Sequence, residues 1–132
     1  MDNKISLVRY LYYFSLLGLF IIYLFPGSII GCFIYKDCQI QPDFIPNPLG
    51  TSINHLIAFF YLSIIGLISC IKKFSFNLTA IFLIILSFIL ELSHLIIPNR
   101  SFQYLDLMSN LFGTLLAITI IFLYKRIKNG KI

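Results

Sequence analysis

Charge is the scarcest thing in this chain. Only 11% of its 132 residues are charged and 59% are hydrophobic, whereas a soluble domain carries about 25% charge. That is too little to coat a globule in water, so a soluble fold is excluded. Tryptophan is missing altogether, which leaves tyrosine to anchor the chain at the membrane–water interface. No Gly-rich phosphate loop, no Gly-x-Ser-x-Gly and no Cys-x-x-Cys occurs. The commonest signatures of nucleotide binding, serine hydrolysis and thiol redox chemistry are thereby removed. There is no internal repeat and no low-complexity tract.

What the chain does have is four apolar runs, each about the 20 residues that a spanning helix needs. They lie near residues 7–25, 53–71, 78–97 and 104–124. The first is flanked at its start by Lys4 and Arg9 like a signal peptide, but it is long for one and no small-x-small cleavage site follows. It reads as a retained helix. Residues 26–52 hold Pro42, Pro46 and Pro48 and read as a long polar loop. The expected fold is all-α, a polytopic membrane protein forming one four-transmembrane-helix bundle over residues 1–132.

The net charge of +5 does not point to nucleic acid, because the basic residues sit at the ends of apolar runs. Lys4, Arg9, Lys72, Lys73, Lys125, Arg126, Lys128 and Lys131 fall on one side of a four-span chain, Lys36 and Arg100 on the other. The positive-inside rule then places both termini in the cytoplasm and residues 26–52 outside. The expected partner is the lipid bilayer, with no nucleic acid.

The remaining polar residues gather at the outer end: His55, Glu91, His94, Arg100, Asp106 and Asn110. At about 1.5 Å rise per residue, Glu91 lies roughly 9–10 Å below the Pro98 turn, level with Asn110, and His94 is level with Asp106. Asp106 and Asn110 share one helix face, and Gly113 extends that stripe as a position for close helix packing. Such groups also serve as interhelical glue. Glue has no reason to avoid the inner half of the membrane, however, and a site open to the outside does. Glu91-x-x-His94 with His55 and Asp106 offers metal-ligand types. A di-iron bundle needs that pair twice plus two further Glu, and the chain has five acidic residues and two His. No metal and no cofactor is expected. Cys32 and Cys38 share the outer loop, where oxidation would join them. Cys70 is a small apolar filler, and Asn77-Leu78-Thr79, on the cytoplasmic side, is a chance glycosylation triplet.

His55, Glu91, Pro98-x-Arg100 and Asp106-x-x-x-Asn110-x-x-Gly113 resemble the pattern of the VanZ-like family of small membrane proteins. The likeness runs from about Tyr23 to Tyr124. Two departures are visible: Thr51-Ser52 stand where the family often has Asp-Lys, and His94 where it has Gln. The resemblance implies a cell-envelope theme, the founding member being associated with resistance to teicoplanin-type glycopeptides. The function expected is an outward-facing polar pocket engaging an envelope component or amphiphile. Arg100 would grip an anionic headgroup bidentately, Asp106 and Asn110 would position polar groups, and Glu91 would stay buried. One alternative is an intramembrane enzyme with Glu91 or Asp106 as general acid/base and His55 or His94 as partner. The other is a structural or partner-binding subunit.

Overall fold

A computed structural model describes residues 2–42, 50, 52–71, 75–128 and 130, with side chains from Ile5 onward. Pro46, Pro48, Thr51, Lys72, Lys73, Lys131 and the Lys4 side chain lie outside the described residues. The described residues form five helices and no strand: α1 (Asp2–Leu24), α2 (Ile29–Tyr35), α3 (Ser52–Ser69), α4 (Phe76–Ser93) and α5 (Tyr104–Lys128). All but α2 are long and apolar enough to cross a membrane, the architecture of a multi-pass membrane protein.

Each long helix turns one stripe inward and leaves its other faces apolar and exposed. On α3 the buried positions include Ser52, His55, Phe59, Leu62, Ser63 and Gly66, and on α5 they include Asp106, Asn110, Gly113, Ala117 and Ile121. These are the three- and four-residue steps of one helix face. The outward residues, among them Phe14 and Leu17 on α1 and Ile81 and Ile85 on α4, are large and hydrophobic, as suits a surface solvated by lipid. Helix α3 is central and packs on α1, α4 and, most extensively, α5.

Small residues make the α3–α5 contact close, as membrane interfaces require when apolar burial drives little association. A Cβ on Gly113 would collide with the Leu56 carbonyl oxygen and lie 3.0 Å from the Phe60 nitrogen. One turn further along α5, Ala117 is fully buried, and Ser63 Oγ donates to Thr114 Oγ1 at 3.4 Å. At the far end, Lys125 Nζ sits 3.9 Å over the Phe76 ring, a cation–π contact that joins the start of α4 to the end of α5.

Two features differ from the sequence expectation. Helix α2 lies inside the stretch read as loop. Ser28 caps it, its Oγ accepting from Gly31 N at 3.0 Å, and Lys36 ends it in the left-handed region at φ 56°. A serine followed by an apolar run is a helix-start signal, outweighed in the sequence by the prolines downstream. Cys32 and Cys38 are joined by a disulfide, and Ser28 N donates to Cys38 O at 2.6 Å, so α2 and the strap after it fold back on each other.

The second difference is the end of α4. The apolar run reaches Ile97 before Pro98, but α4 stops at Ser93. From there the chain tightens into three-residue turns, His94 N to Glu91 O at 3.1 Å and Leu95 N to Leu92 O at 3.1 Å, and Asn99 turns left-handed at φ 57°. Glu91 therefore lies in the last turn of α4, nearer the helix end than an α4 running to Ile97 would put it.

Candidate functional site

The helix ends at Leu24, Ser52, Ser93 and Tyr104 meet at one end of the bundle, and the polar residues converge there. Glu91 and Asn110 are fully buried, Asp106 and His94 are 3% exposed and His55 is 5% exposed. Five of the six residues singled out in the sequence thus share one network. Glu91 and Asn110 are partners as their depths implied, with Asn110 Nδ2 donating to Glu91 Oε2 at 3.5 Å. His94 and Asp106, equally level, do not pair. His94 Nδ1 instead meets Glu91 Oε1 at 3.3 Å, and Asp106 turns to Ser52 and His55.

At the centre stands Tyr23, which the sequence reading did not single out. Its hydroxyl donates to Asn110 Oδ1 at 3.0 Å and lies 2.7 Å from His55 Nδ1. Its ring stacks on His94, centroids 5.4 Å apart and 17° between planes. A phenol has one hydrogen. Since that hydrogen goes to Asn110, the one between Tyr23 Oη and His55 Nδ1 belongs to the imidazole. The neutral His55 ring is therefore the Nδ1–H tautomer, and its lone pair lies on Nε2. That atom faces Asp106 Oδ2 at 3.6 Å and Gln41 Nε2 at 3.5 Å.

The outer atoms of the acids are held as well. Ser52 Oγ donates to Asp106 Oδ1, so Ser52, noted in the sequence only as a departure from a family pattern, is part of the network. Gln103 N donates to Glu91 Oε1 at 3.2 Å, which ties the α4–α5 connection to the end of α4.

Arg100 reaches main-chain carbonyls and, among the described residues, no carboxylate: Nη2 donates to Ile22 O at 2.7 Å and Nε to Phe25 O at 3.4 Å. These carbonyls are among the unpaired acceptors at the C-terminal end of α1, where a cation is favoured. Burial lowers the Arg100 pKa from its ordinary value, while Tyr23, Glu91 and Asp106 act in the opposite sense from a distance.

Beside the network lies a half-open cavity of about 400 Å³ between α1, α2 and α3. One part of its wall is apolar: Leu19, Ile22, Ile29, Ile30, Ile57 and Ala58. The other carries Tyr23, Gln41, Asn54, His55, His94 and Arg100. Glu91, Asp106 and Asn110 do not line it and stand behind the two imidazoles. His94 Nε2 is buried and has no hydrogen-bond partner among the described residues. Such an atom costs about 1–3 kcal/mol unless a guest or water meets it. Compared with family models, curated proteins and solved structures, the chain matches none.

Proposed function

We propose that this chain is a VanZ-like membrane protein, both termini cytoplasmic, whose cavity takes up an amphiphile or envelope component at the outer membrane face. One observation carries the reading. A cavity of the size that holds small ligands joins an apolar wall to one that carries His55, His94 and Arg100. That combination suits a molecule with a hydrocarbon part and a polar head. Two further observations support it. The motif residues His55, Glu91, Asp106 and Asn110 share one network. Arg9, Lys125, Arg126 and Lys128 belong to the opposite end from the cavity, as a cytoplasmic face requires.

The test is mass spectrometry of lipids retained by the purified protein, beside the Ala58→Phe variant, which fills the cavity from α3. The expected result is one lipid class enriched over the bulk extract and lost in the variant. No enrichment, or enrichment that Ala58→Phe leaves intact, sinks the proposal. Orientation is checked separately: a cysteine at Lys128 should react with an impermeant thiol reagent only after the membrane is opened. The family resemblance adds a phenotype to measure, teicoplanin susceptibility of a host expressing the protein.

The tautomer of His55 favours an enzymatic second reading. In it, His55 Nε2 is the general base at the cavity wall, oriented through Nδ1–H by Tyr23. The carboxylates, lying behind the rings, steady it and do not touch the substrate. Turnover of a retained lipid that is lost in His55→Gln while retention persists would establish this reading over simple binding.

A further inference from the structure

We infer that His55, Glu91 and Asp106 form a binding site for one divalent transition-metal ion, of which Zn2+ is the best fit. The three residues come from α3, α4 and α5, all are buried, and one donor atom from each lies within 4.8 Å of the others. Imidazole with two carboxylates is a donor set that suits Zn2+ and Mn2+.

Charge is the first reason. Two buried carboxylates carry two negative charges, and every ion pair they make among the described residues is to a histidine. Arg100, a basic side chain at this end of the bundle, donates instead to the Ile22 and Phe25 carbonyls. A divalent ion would balance both charges at a depth where unpaired carboxylates are strongly disfavoured.

Direction is the second. With Nδ1–H committed to Tyr23, the His55 Nε2 lone pair and Asp106 Oδ2 face each other at 3.6 Å, too far for a hydrogen bond. Bonds of about 2.0–2.1 Å from both atoms to one zinc would enclose an angle of roughly 120°. Glu91 would complete the set, an oxygen of it lying within 4.8 Å of a donor atom of each of the other two residues.

The third reason lies in the neighbours of the ligands. Every one of these ligands is held on its outward side by a neighbour, the arrangement that orients metal ligands and tunes their basicity. Tyr23 takes His55 Nδ1–H, Ser52 donates to Asp106 Oδ1, and Gln103 N donates to Glu91 Oε1. His55 also lines the cavity, so the ion would sit behind a ring that forms part of the cavity wall.

The experiment uses tag-free full-length protein in detergent, stripped with a chelator and titrated with Zn2+ against a fluorescent competitor. The bound metal is then counted by elemental analysis. Expected are one Zn2+ per chain, a rise in melting temperature with Zn2+, and affinity at least about tenfold weaker in Asp106→Asn and in Ser52→Ala. Ser52→Ala removes no ligand and suits a helix, so it remains informative if Asp106→Asn fails to fold. A Co2+ titration adds a readout independent of stability, since d–d absorption of tetrahedral intensity reports a four-coordinate protein site and weak absorption an ion left in octahedral water. Less than a stoichiometric ion, or affinity unchanged in both variants, overturns the site. Lipid retention measured on the metal-free protein keeps this outcome separate from the amphiphile proposal, which stands or falls by Ala58→Phe.

Discussion

Removing the Tyr23 hydroxyl, by Tyr23→Phe, tests the network at its centre. The phenylalanine ring keeps the stack on His94 and the edge contact with Phe59 at 5.8 Å, so little packing is lost. What goes is the pair of bonds to His55 Nδ1 and Asn110 Oδ1. In water-soluble cores, leaving one buried acceptor unmet costs about 1–3 kcal/mol. In a membrane the unfolded helices also find polar partners, and side-chain hydrogen bonds average only about 0.6 kcal/mol. Here both limits apply. Asn110 is fully buried, and with the phenol gone its carbonyl oxygen has no other partner in the network, which pulls toward the larger value. His55 can shift its proton to Nε2 and face Asp106, which pulls toward the smaller.

The expected loss is therefore about 1–3 kcal/mol, read by reversible unfolding in mixed micelles. Tyr13→Phe is the control, because Tyr13 is 58% exposed on a lipid-facing side of α1, and it should change stability by less than about 0.5 kcal/mol. A double-mutant cycle of Tyr23→Phe with Asn110→Ala should show coupling of at least about 0.6 kcal/mol. Additive effects, or a Tyr23→Phe protein as stable as its parent, would refute the idea that the hydroxyl organises the site.

Gly113→Ala should destabilise by about 1–3 kcal/mol in the same assay, because the new methyl meets α3 backbone that cannot rotate away; a more stable variant would contradict the close α3–α5 approach. Replacing Cys32 and Cys38 together by serine should cost about 2 kcal/mol from the released loop and make the segment after α2 more sensitive to protease. Unchanged stability under reducing and oxidising conditions would show that the strap contributes nothing. Arg100→Lys should behave as a partial loss: an ammonium has no planar fork to span the Ile22 and Phe25 carbonyls together. A variant melting with the parent would leave charge near the α1 end as the sole requirement, whereas Arg100→Gln should fall further in either case.

Polar residues were legible in this sequence because the background is so apolar. An Asp, a Glu or a His among leucines and isoleucines announces itself, and helix spacing alone put Asp106, Asn110 and Gly113 on one face. The same background hid Tyr23. Along α1 the buried Tyr12, Leu19 and Tyr23 alternate with the exposed Tyr10, Tyr13 and Phe14, and a helix apolar on every side gives no period from which to choose. Ser52 was hidden for a related reason: hydroxyls are common in spanning helices as packing groups, and Ser69, Ser87 and Ser93 do donate to carbonyls of their own helix. Arg100 was visible, but its partners are main-chain carbonyls, and nothing in a side-chain pattern identifies those.

The way α1 is held bears on why the cavity lies where it does. Only 11% of its apolar span is buried, and in lipid an apolar helix face gains little by exchanging lipid tails for leucines. Its attachment therefore depends on a few specific contacts. One is Tyr12, so close to Gly66 that a Cβ there would lie 2.7 Å from the tyrosine ring. The others are at the opposite end, Tyr23 on His55 and Asn110, and the Ile22 and Phe25 carbonyls on Arg100. Leu19 and Ile22, which face the cavity across from Ile57 and Ala58, stand beside those polar pins. A hydrocarbon chain in the proposed role would meet Leu19 and Ile22 beside those pins. Apolar space next to a rigid polar end is thus a consequence of fastening a lipid-solvated helix by hydrogen bonds at one end.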